Sequence, residues 1–198
     1  MSKQQATRQL LEAARDADLA AAMAAIRSGA DLEARDDNGR TALVIATKAN
    51  EVALAKALLA AGADPNAKDD ISDSAFLYAG AEGYNAILRA TLEHGADVRS
   101  TNRFDGTALI PACEHGYVET VRILIAAGVP LDHVNNLGWT AMLEAIVLGT
   151  GSPDHVEVVR LLIEAGADVT IPDRNGRTPR ELAEARGYHD IVALIDAA

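Results

Sequence analysis

The sequence predicts an all-α solenoid of about six stacked helix-turn-helix units whose tips are β-turns or short hairpins. A Gly-centred motif recurs at a fixed spacing, and a hydroxyl-centred motif recurs in phase with it. The core must also be aliphatic, because 49% of the residues are hydrophobic but only 4% are aromatic. Closely stacked helices suit such a core, so the composition disfavours an all-β sandwich.

The Gly motif defines the length of the repeat. It reads Gly-Ala-Asp or a close variant, with glycines at 29, 62, 95, 128 and 166. The intervals are 33, 33, 33 and 38 residues, so one unit recurs and the last interval contains a five-residue insertion. A period of this length indicates a repeat architecture built from stacked helix pairs. Each glycine is expected to end a second helix in a left-handed conformation.

The hydroxyl motif marks the start of the first helix in each unit. Its residues are Thr41, Ser74, Thr107, Thr140 and Thr178. A side-chain oxygen at this position can accept a hydrogen bond from a free amide of the first turn. Pro179 follows Thr178 at the first helical position, where proline is tolerated because that amide has no intrahelical partner.

These motifs, together with the turns at residues 36–41 and 173–178, resemble the ankyrin-repeat family, and more narrowly its small stand-alone bacterial members. The resemblance covers nearly the whole chain and implies a single domain over 1–198. The expected units are approximately 6–35 as an N-terminal cap, 36–68, 69–101, 102–134, 135–172 with the insertion at 150–154, and 173–198 as a C-terminal cap. Both ends look like caps, so the chain is expected to be complete.

The third unit is predicted to be the weakest. Ser72 stands where the turn glycine belongs, Gly80 falls inside the first helix, and Thr91 occupies a normally apolar position of the second. Glycine within a helix costs about 0.5–1 kcal/mol relative to alanine. Because the stability of a solenoid is roughly a sum of local and neighbour contributions, this unit is expected to loosen first.

Pro111 is predicted to be the fourth residue after a Thr107 N-cap. A residue there normally donates the first intrahelical hydrogen bond to the carbonyl of Thr107, and proline has no amide hydrogen. That carbonyl is therefore expected to remain available to water or to a partner.

Charge and cysteine content narrow the partners and the compartment. A net charge of −11 argues against nucleic acid and anionic lipid as partners, although acidity also serves solubility alone. With one cysteine, Cys113, no intrachain disulfide can form. No signal peptide is evident, so we expect a cytoplasmic monomer, or a periplasmic one if an export signal was removed.

No residue pattern indicates catalysis, a metal or a cofactor. The five histidines form no i, i+4 pair, and Cys113 takes a position that packing favours over nucleophilic chemistry. The insertion at 150–154 lacks the preceding strand and the lysine of a phosphate loop. It either shapes one lip of a binding groove or has no role.

The resemblance implies a protein-protein interaction module that scaffolds, sequesters or regulates a partner. In this family the turn tips and first helices form a concave binding face, and apolar tip residues mark an interaction patch. The candidate binding residues are Ile71, Phe104, Leu137, Trp139, Arg40, Arg103, Glu114, His115, Val147 and Leu148. The alternative is a solenoid that holds a small ligand or serves as a non-catalytic subunit of an enzyme complex.

Overall fold

A computed structural model describes residues 2–198, and within that range the chain forms twelve α-helices and no strand. The helices are α1 (Lys3–Arg15), α2 (Leu19–Arg27), α3 (Ala42–Lys48), α4 (Val52–Ala60), α5 (Ala75–Ala81), α6 (Asn85–Glu93), α7 (Leu109–Glu114), α8 (Val118–Ala126), α9 (Ala141–Val147), α10 (Pro153–Glu164), α11 (Pro179–Ala185) and α12 (His189–Asp196). Six helix pairs confirm the predicted all-α class, and hydrogen-bonded turns join them at the tips.

The described residues pack as two compact units. Unit 1 holds the residues up to Ala79 together with Tyr84–Asp97, and unit 2 holds Gly80–Gly83 and Val98–Ala198. In unit 2 the first helices α7, α9 and α11 pack in succession, as do the second helices α8, α10 and α12. In unit 1, α1 packs on α3, and α2, α4 and α6 follow one another. The single domain over 1–198 stays a prediction.

Small residues in the first helices allow this packing. Ala46, Ala79, Ala112, Ala145 and Ala183 are all fully buried. Larger aliphatic side chains fill the space between the layers, and Leu43, Leu109 and Leu143 are among the fully buried ones. The core is therefore aliphatic, as the composition predicted.

Four of the five predicted hydroxyl caps form. Thr41, Ser74, Thr140 and Thr178 each accept a hydrogen bond at 3.2–3.3 Å from the amide three residues later. The glycines that end the second helices also adopt the predicted left-handed conformation, with φ between 79° and 98°.

Thr107 is the exception, and the prediction for Pro111 is wrong. The Ile110 amide donates to the Thr107 carbonyl at 3.2 Å, so this carbonyl already has a hydrogen-bond partner within the chain. In the other units the amide three residues after the cap donates to the hydroxyl, and the amide four residues after it donates to the carbonyl. Here the fourth residue is Pro111, which has no amide hydrogen, so the Ile110 amide donates to the carbonyl instead. Among residues 2–198, no group hydrogen-bonds to the buried Thr107 hydroxyl. Helix α7 therefore starts late, at Leu109.

A side-chain oxygen outside the Gly and hydroxyl motifs holds each turn tip. At Asn135, Oδ1 accepts the amides of Leu137 at 2.9 Å and Trp139 at 3.1 Å. The same pair of bonds, to the amides two and four residues later, recurs at Asp36, Asp69, Asn102 and Asp173. Each tip is fixed by one side chain and two backbone amides, so the exposed tip side chains are free to vary.

The third unit contains the departures that the sequence indicated, with different consequences. Ser72 adopts a left-handed conformation at φ 64°, which is costly for a residue other than glycine. Gly80 is required by packing, because a Cβ there would lie 2.8 Å from the Cβ of Ala108. The hydroxyl of Thr91 is buried but satisfied, since it donates to the carbonyl of Leu88.

The insertion at 150–154 lengthens a helix. Ser152 caps α10 through the amide of His155, and Pro153 is its first residue, so α10 has 12 residues where α8 has 9. His155 bridges the added turn to α7, because its Nε2 lies 2.8 Å from the carbonyl of Glu114. The Tyr188 hydroxyl donates to the carbonyl of Gly149. These bonds give the insertion a structural role within unit 2.

We predict that Pro111→Ala stabilises the protein by about 1 kcal/mol. The alanine amide would donate to the Thr107 carbonyl, and the Ile110 amide would then be able to donate to the Thr107 hydroxyl. The midpoint of urea unfolding measures the change.

Matched valine variants provide the control. Thr107→Val should be close to neutral in the parent, because the hydroxyl is unbonded, whereas Thr140→Val should cost about 1 kcal/mol because that hydroxyl caps α9. In the Pro111→Ala background, Thr107→Val should become costly. A destabilised Pro111→Ala variant would contradict this account of α7.

Candidate protein-binding surface

The structure places eight of the ten predicted site residues in unit 2. Phe104, Leu137, Leu148, Arg103 and His115 are exposed there. The other three, which are half-buried, are Glu114, Trp139 and Val147.

The remaining two lie in unit 1. Ile71 is exposed. Arg40 is half-buried, and its guanidinium donates two hydrogen bonds, from Nε at 2.9 Å and from Nη2 at 2.8 Å, to Oδ2 of Asp36. Arg40 thus braces its own tip, a role that the sequence did not indicate.

Two exposed apolar side chains of unit 2 come from adjoining tips. The amide of Asn136, next to Leu137, donates to the carbonyl of Phe104 at 2.9 Å. Phe104 and Leu137 remain 47% and 45% exposed. The Arg103 guanidinium lies over the Phe104 ring, 4.7 Å from its centroid, and covers part of it. The tips therefore present a small apolar surface with a cation at one edge.

A buried carboxyl group lies directly beneath these tips. The Nδ2 of Asn135 donates to Oε1 of Glu144 at 2.8 Å, and Glu144 is only 4% exposed. The Glu114 side chain on α7 lies close enough for its charge to raise the pKa of the Glu144 carboxyl. Asn135 thus joins the apolar tip to a carboxyl pair on the first helices.

Sequence reasoning missed Asn135 and Glu144. Asn135 belongs to the series 36, 69, 102, 135 and 173, which repeats with the same period as the Gly motif and could have been found by that spacing. Glu144 offers no such signal, because a glutamate at one position of an amphipathic helix is more often solvated.

The surroundings of Glu144 raise the pKa of its carboxyl group. Burial raises the pKa of Glu144 to about 7; the Asn135 amide opposes this shift, and the charge of Glu114 adds to it.

Cys113 does not have the character of a nucleophile. It is fully buried, and burial, with a smaller effect of the Glu144 charge, raises the pKa of its thiol far above the ordinary value. Across residues 2–198, no three His, Cys, Asp or Glu side chains are arranged to hold a metal ion.

The equivalent place in unit 1 has the opposite chemistry. The Lys48 ammonium lies 2.7 Å from Asp73, 3.3 Å from Asp69 and 4.4 Å from the centroid of the Tyr78 ring. Burial disfavours the lysine charge, but the two carboxylates outweigh it and raise the pKa of Lys48. This part of unit 1 therefore carries its own cation.

Comparison with known proteins identifies the repeat. The profile for three copies of the ankyrin repeat matches residues 76–173, and that for a single ankyrin repeat matches residues 38–70. A crystal structure of an ankyrin repeat domain from Acinetobacter baumannii AYE is 53% identical, with a TM-score of 0.93 over 95% of this chain and 96% of that one. The chain belongs to the ankyrin-repeat family.

Other proteins resemble this chain at lower identity or over less of its length. The Enterococcus protein EF0377 is 38% identical, with a TM-score of 0.92 over 96% of this chain and 97% of that one. YahD of Escherichia coli K12 is 46% identical over 56 residues, which are 28% of each protein. The potassium channel AKT1 of Arabidopsis thaliana is 51% identical over 41 residues, or 21% of this chain and 5% of the channel.

Ankyrin repeats generally mediate protein-protein interactions and are generally non-catalytic. None of the described helices of this ankyrin-repeat chain is long and apolar enough to cross a membrane.

We predict that the carboxyl pair makes stability fall as the pH rises. The folded-state pKa of Glu144 is about 7 against an ordinary value of 4.5, so its contribution is fully present below pH 4.5 and is lost as the pH rises through about 7. Glu144→Gln, which keeps an acceptor for Asn135, should match the parent at pH 4.5. At pH 8 it should be more stable by up to about 3 kcal/mol.

Urea unfolding of both proteins at several pH values measures this difference. Glu164→Gln, on the exposed end of α10, is the control for losing one surface carboxylate and should show little dependence on pH. A constant difference between Glu144→Gln and the parent from pH 4.5 to 8 would show that folding does not raise the pKa of Glu144.

Proposed function

We propose that this chain is a protein-binding module that holds another protein, as a scaffold, sequestering factor or regulator, on the face formed by its turn tips and first helices. The observation that carries the proposal is the exposure of apolar residues at one register position of three successive tips, Ile71, Phe104 and Leu137. Each lies two residues after the tip Asp or Asn and donates its backbone amide to that residue.

The three exposed apolar tip side chains make no hydrogen bond that the turns require. Because the Asp or Asn oxygen satisfies the tip amides, the side chains of Ile71, Phe104 and Leu137 add nothing to the turn itself. Large apolar groups held rigidly in solvent are typical of protein interfaces. Scattered apolar surface residues are common in proteins, but these three recur at a spacing of 33 residues.

Net charge and thiol chemistry support a protein as the partner. The charge of −11 opposes binding to nucleic acid and anionic membranes. The buried Cys113, with its raised thiol pKa, gives no nucleophile for an enzyme. We propose that the protein works as a monomer without a cofactor.

We predict that Phe104→Ala weakens partner binding about thirtyfold, the loss of about 2 kcal/mol that is usual for an interface anchor. Stability should change by less than about 0.5 kcal/mol, because the ring is half in solvent. Trp139→Ala should weaken binding to a similar degree and also cost some stability, since its side chain is half-buried. Ile71→Ala and Leu137→Ala should have smaller effects.

The partner is first recovered from an extract of the source organism with the chain as bait, and its affinity for each variant is then measured. Leu19→Ala, an exposed leucine at the start of α2, is the matched control and should bind like the parent. If the tip variants stay folded and bind as the parent does, the partner uses another face and this proposal is wrong.

A further inference from the structure

In unit 2, Asn135 links the exposed apolar tips to the carboxyl pair beneath them. Asn135 accepts the amide of Leu137 with Oδ1 and donates to Glu144 with Nδ2. The adjoining residue, Asn136, bonds to the carbonyl of Phe104. We call the exposed Phe104 and Leu137, the half-buried Glu114 and the buried Glu144 beneath them the unit 2 tip surface.

The carboxyl pair of this surface has no cation of its own. Glu144 is almost fully buried, Asn135 donates a hydrogen bond to it, and the charge of Glu114 acts on the same carboxyl. Within the described residues, neither glutamate pairs with a lysine or an arginine. Unit 2 has no lysine, and its sequence holds eight arginines against fifteen acidic residues.

At the equivalent positions, unit 1 contains a bound cation, the ammonium group of Lys48. The residues that build its ammonium site lie 66 positions before those of the acid pair, which is two repeats. Lys48 is equivalent to Glu114, Asp69 to Asn135, and Tyr78 to Glu144. In unit 1 the chain places an ammonium among these positions, within 4.4 Å of the Tyr78 ring centroid and 3.3 Å of Asp69. In unit 2 the same positions hold only hydrogen-bonding and acidic groups.

We propose that the unit 2 tip surface binds a protein segment in which a lysine or arginine lies beside a large apolar residue. The cationic group enters between Glu114 and Glu144, and the apolar side chain packs on Phe104 and Leu137. This inference rests on the proposed function and names the chemistry of the partner.

Binding of a cation has a consequence that apolar contact alone lacks. Two carboxylates next to an ammonium or guanidinium are both stabilised in the ionised state, so the proton that Glu144 holds is released when the segment binds. Because the pKa of Glu144 lies near 7, affinity should rise between pH 6 and pH 8, by about tenfold.

The test uses peptides selected on the full chain. A phage-displayed library of random 12-residue peptides is panned at pH 8, and the most enriched peptide is synthesised, both unmodified and with its basic residue replaced by norleucine. Dissociation constants are measured by fluorescence anisotropy at pH 6 and pH 8. We expect enriched peptides to carry lysine or arginine next to leucine, isoleucine or an aromatic residue, and norleucine to weaken binding at least tenfold.

Variants connect this selectivity to the surface. Glu144→Gln should lose at least tenfold in affinity and also lose the pH dependence, although it is expected to fold at least as stably as the parent. Phe104→Ser should weaken binding at both pH values. The matched controls, Glu164→Gln and Leu19→Ser, are exposed and lie outside the surface, and they should bind like the parent.

Several results would overturn the inference. These are failure to enrich any peptide, enrichment of acidic or uncharged peptides, and affinity that is unchanged in Glu144→Gln. Dimerisation of the chain that Phe104→Ser abolishes would show that a second copy occupies the surface. Binding that needs Phe104 but neither a basic residue nor Glu144 would reject the basic segment and leave the proposed function standing. A natural partner whose affinity no tip variant alters would reject both.

Discussion

The structure depends on one side-chain acceptor at each turn tip. An aspartate or asparagine oxygen accepts two backbone amides that would otherwise be unsatisfied, and a buried or half-buried amide without a partner costs about 1–3 kcal/mol. Five tips use this arrangement at the period of the repeat. It fixes the turn independently of the intervening side chains, so residues such as Ile71 and Phe104 can be apolar and exposed without harm to the fold.

The second polar atom of the same tip residue differs between repeats, and this variation creates different chemistry on one scaffold. In Asp36 it pairs with Arg40, and in Asp69 it faces the Lys48 ammonium. Asn135 instead has an amide that donates to Glu144. Replacing a carboxylate by an amide puts a hydrogen-bond donor where unit 1 has an acceptor. This donor bonds to the buried carboxyl of Glu144, at the position where unit 1 has a tyrosine.

Helix α7 shows how a single proline redistributes hydrogen bonds. Pro111 lacks the amide hydrogen that would bond to the Thr107 carbonyl. The Ile110 amide bonds to that carbonyl instead of to the Thr107 hydroxyl, and the buried hydroxyl is the group that lacks a hydrogen bond within residues 2–198. Local rules predicted that a bond would be missing, but they placed the loss on the carbonyl. Competition between two acceptors for the Ile110 amide decided the outcome, and it depends on the geometry of the whole turn.

The sequence by itself determined the helical class, the repeat, the helix starts at Thr41, Thr140 and Thr178, and the exposed tips, because these follow from local conformational preferences repeated at a fixed period. Only the tertiary structure decided the packing need for Gly80, the helical extension by the insertion, and the burial of Glu144 against Glu114. These features depend on which side chains of successive repeats meet. Such contacts join residues about 30 positions apart, and neither periodicity nor propensity along one segment specifies them.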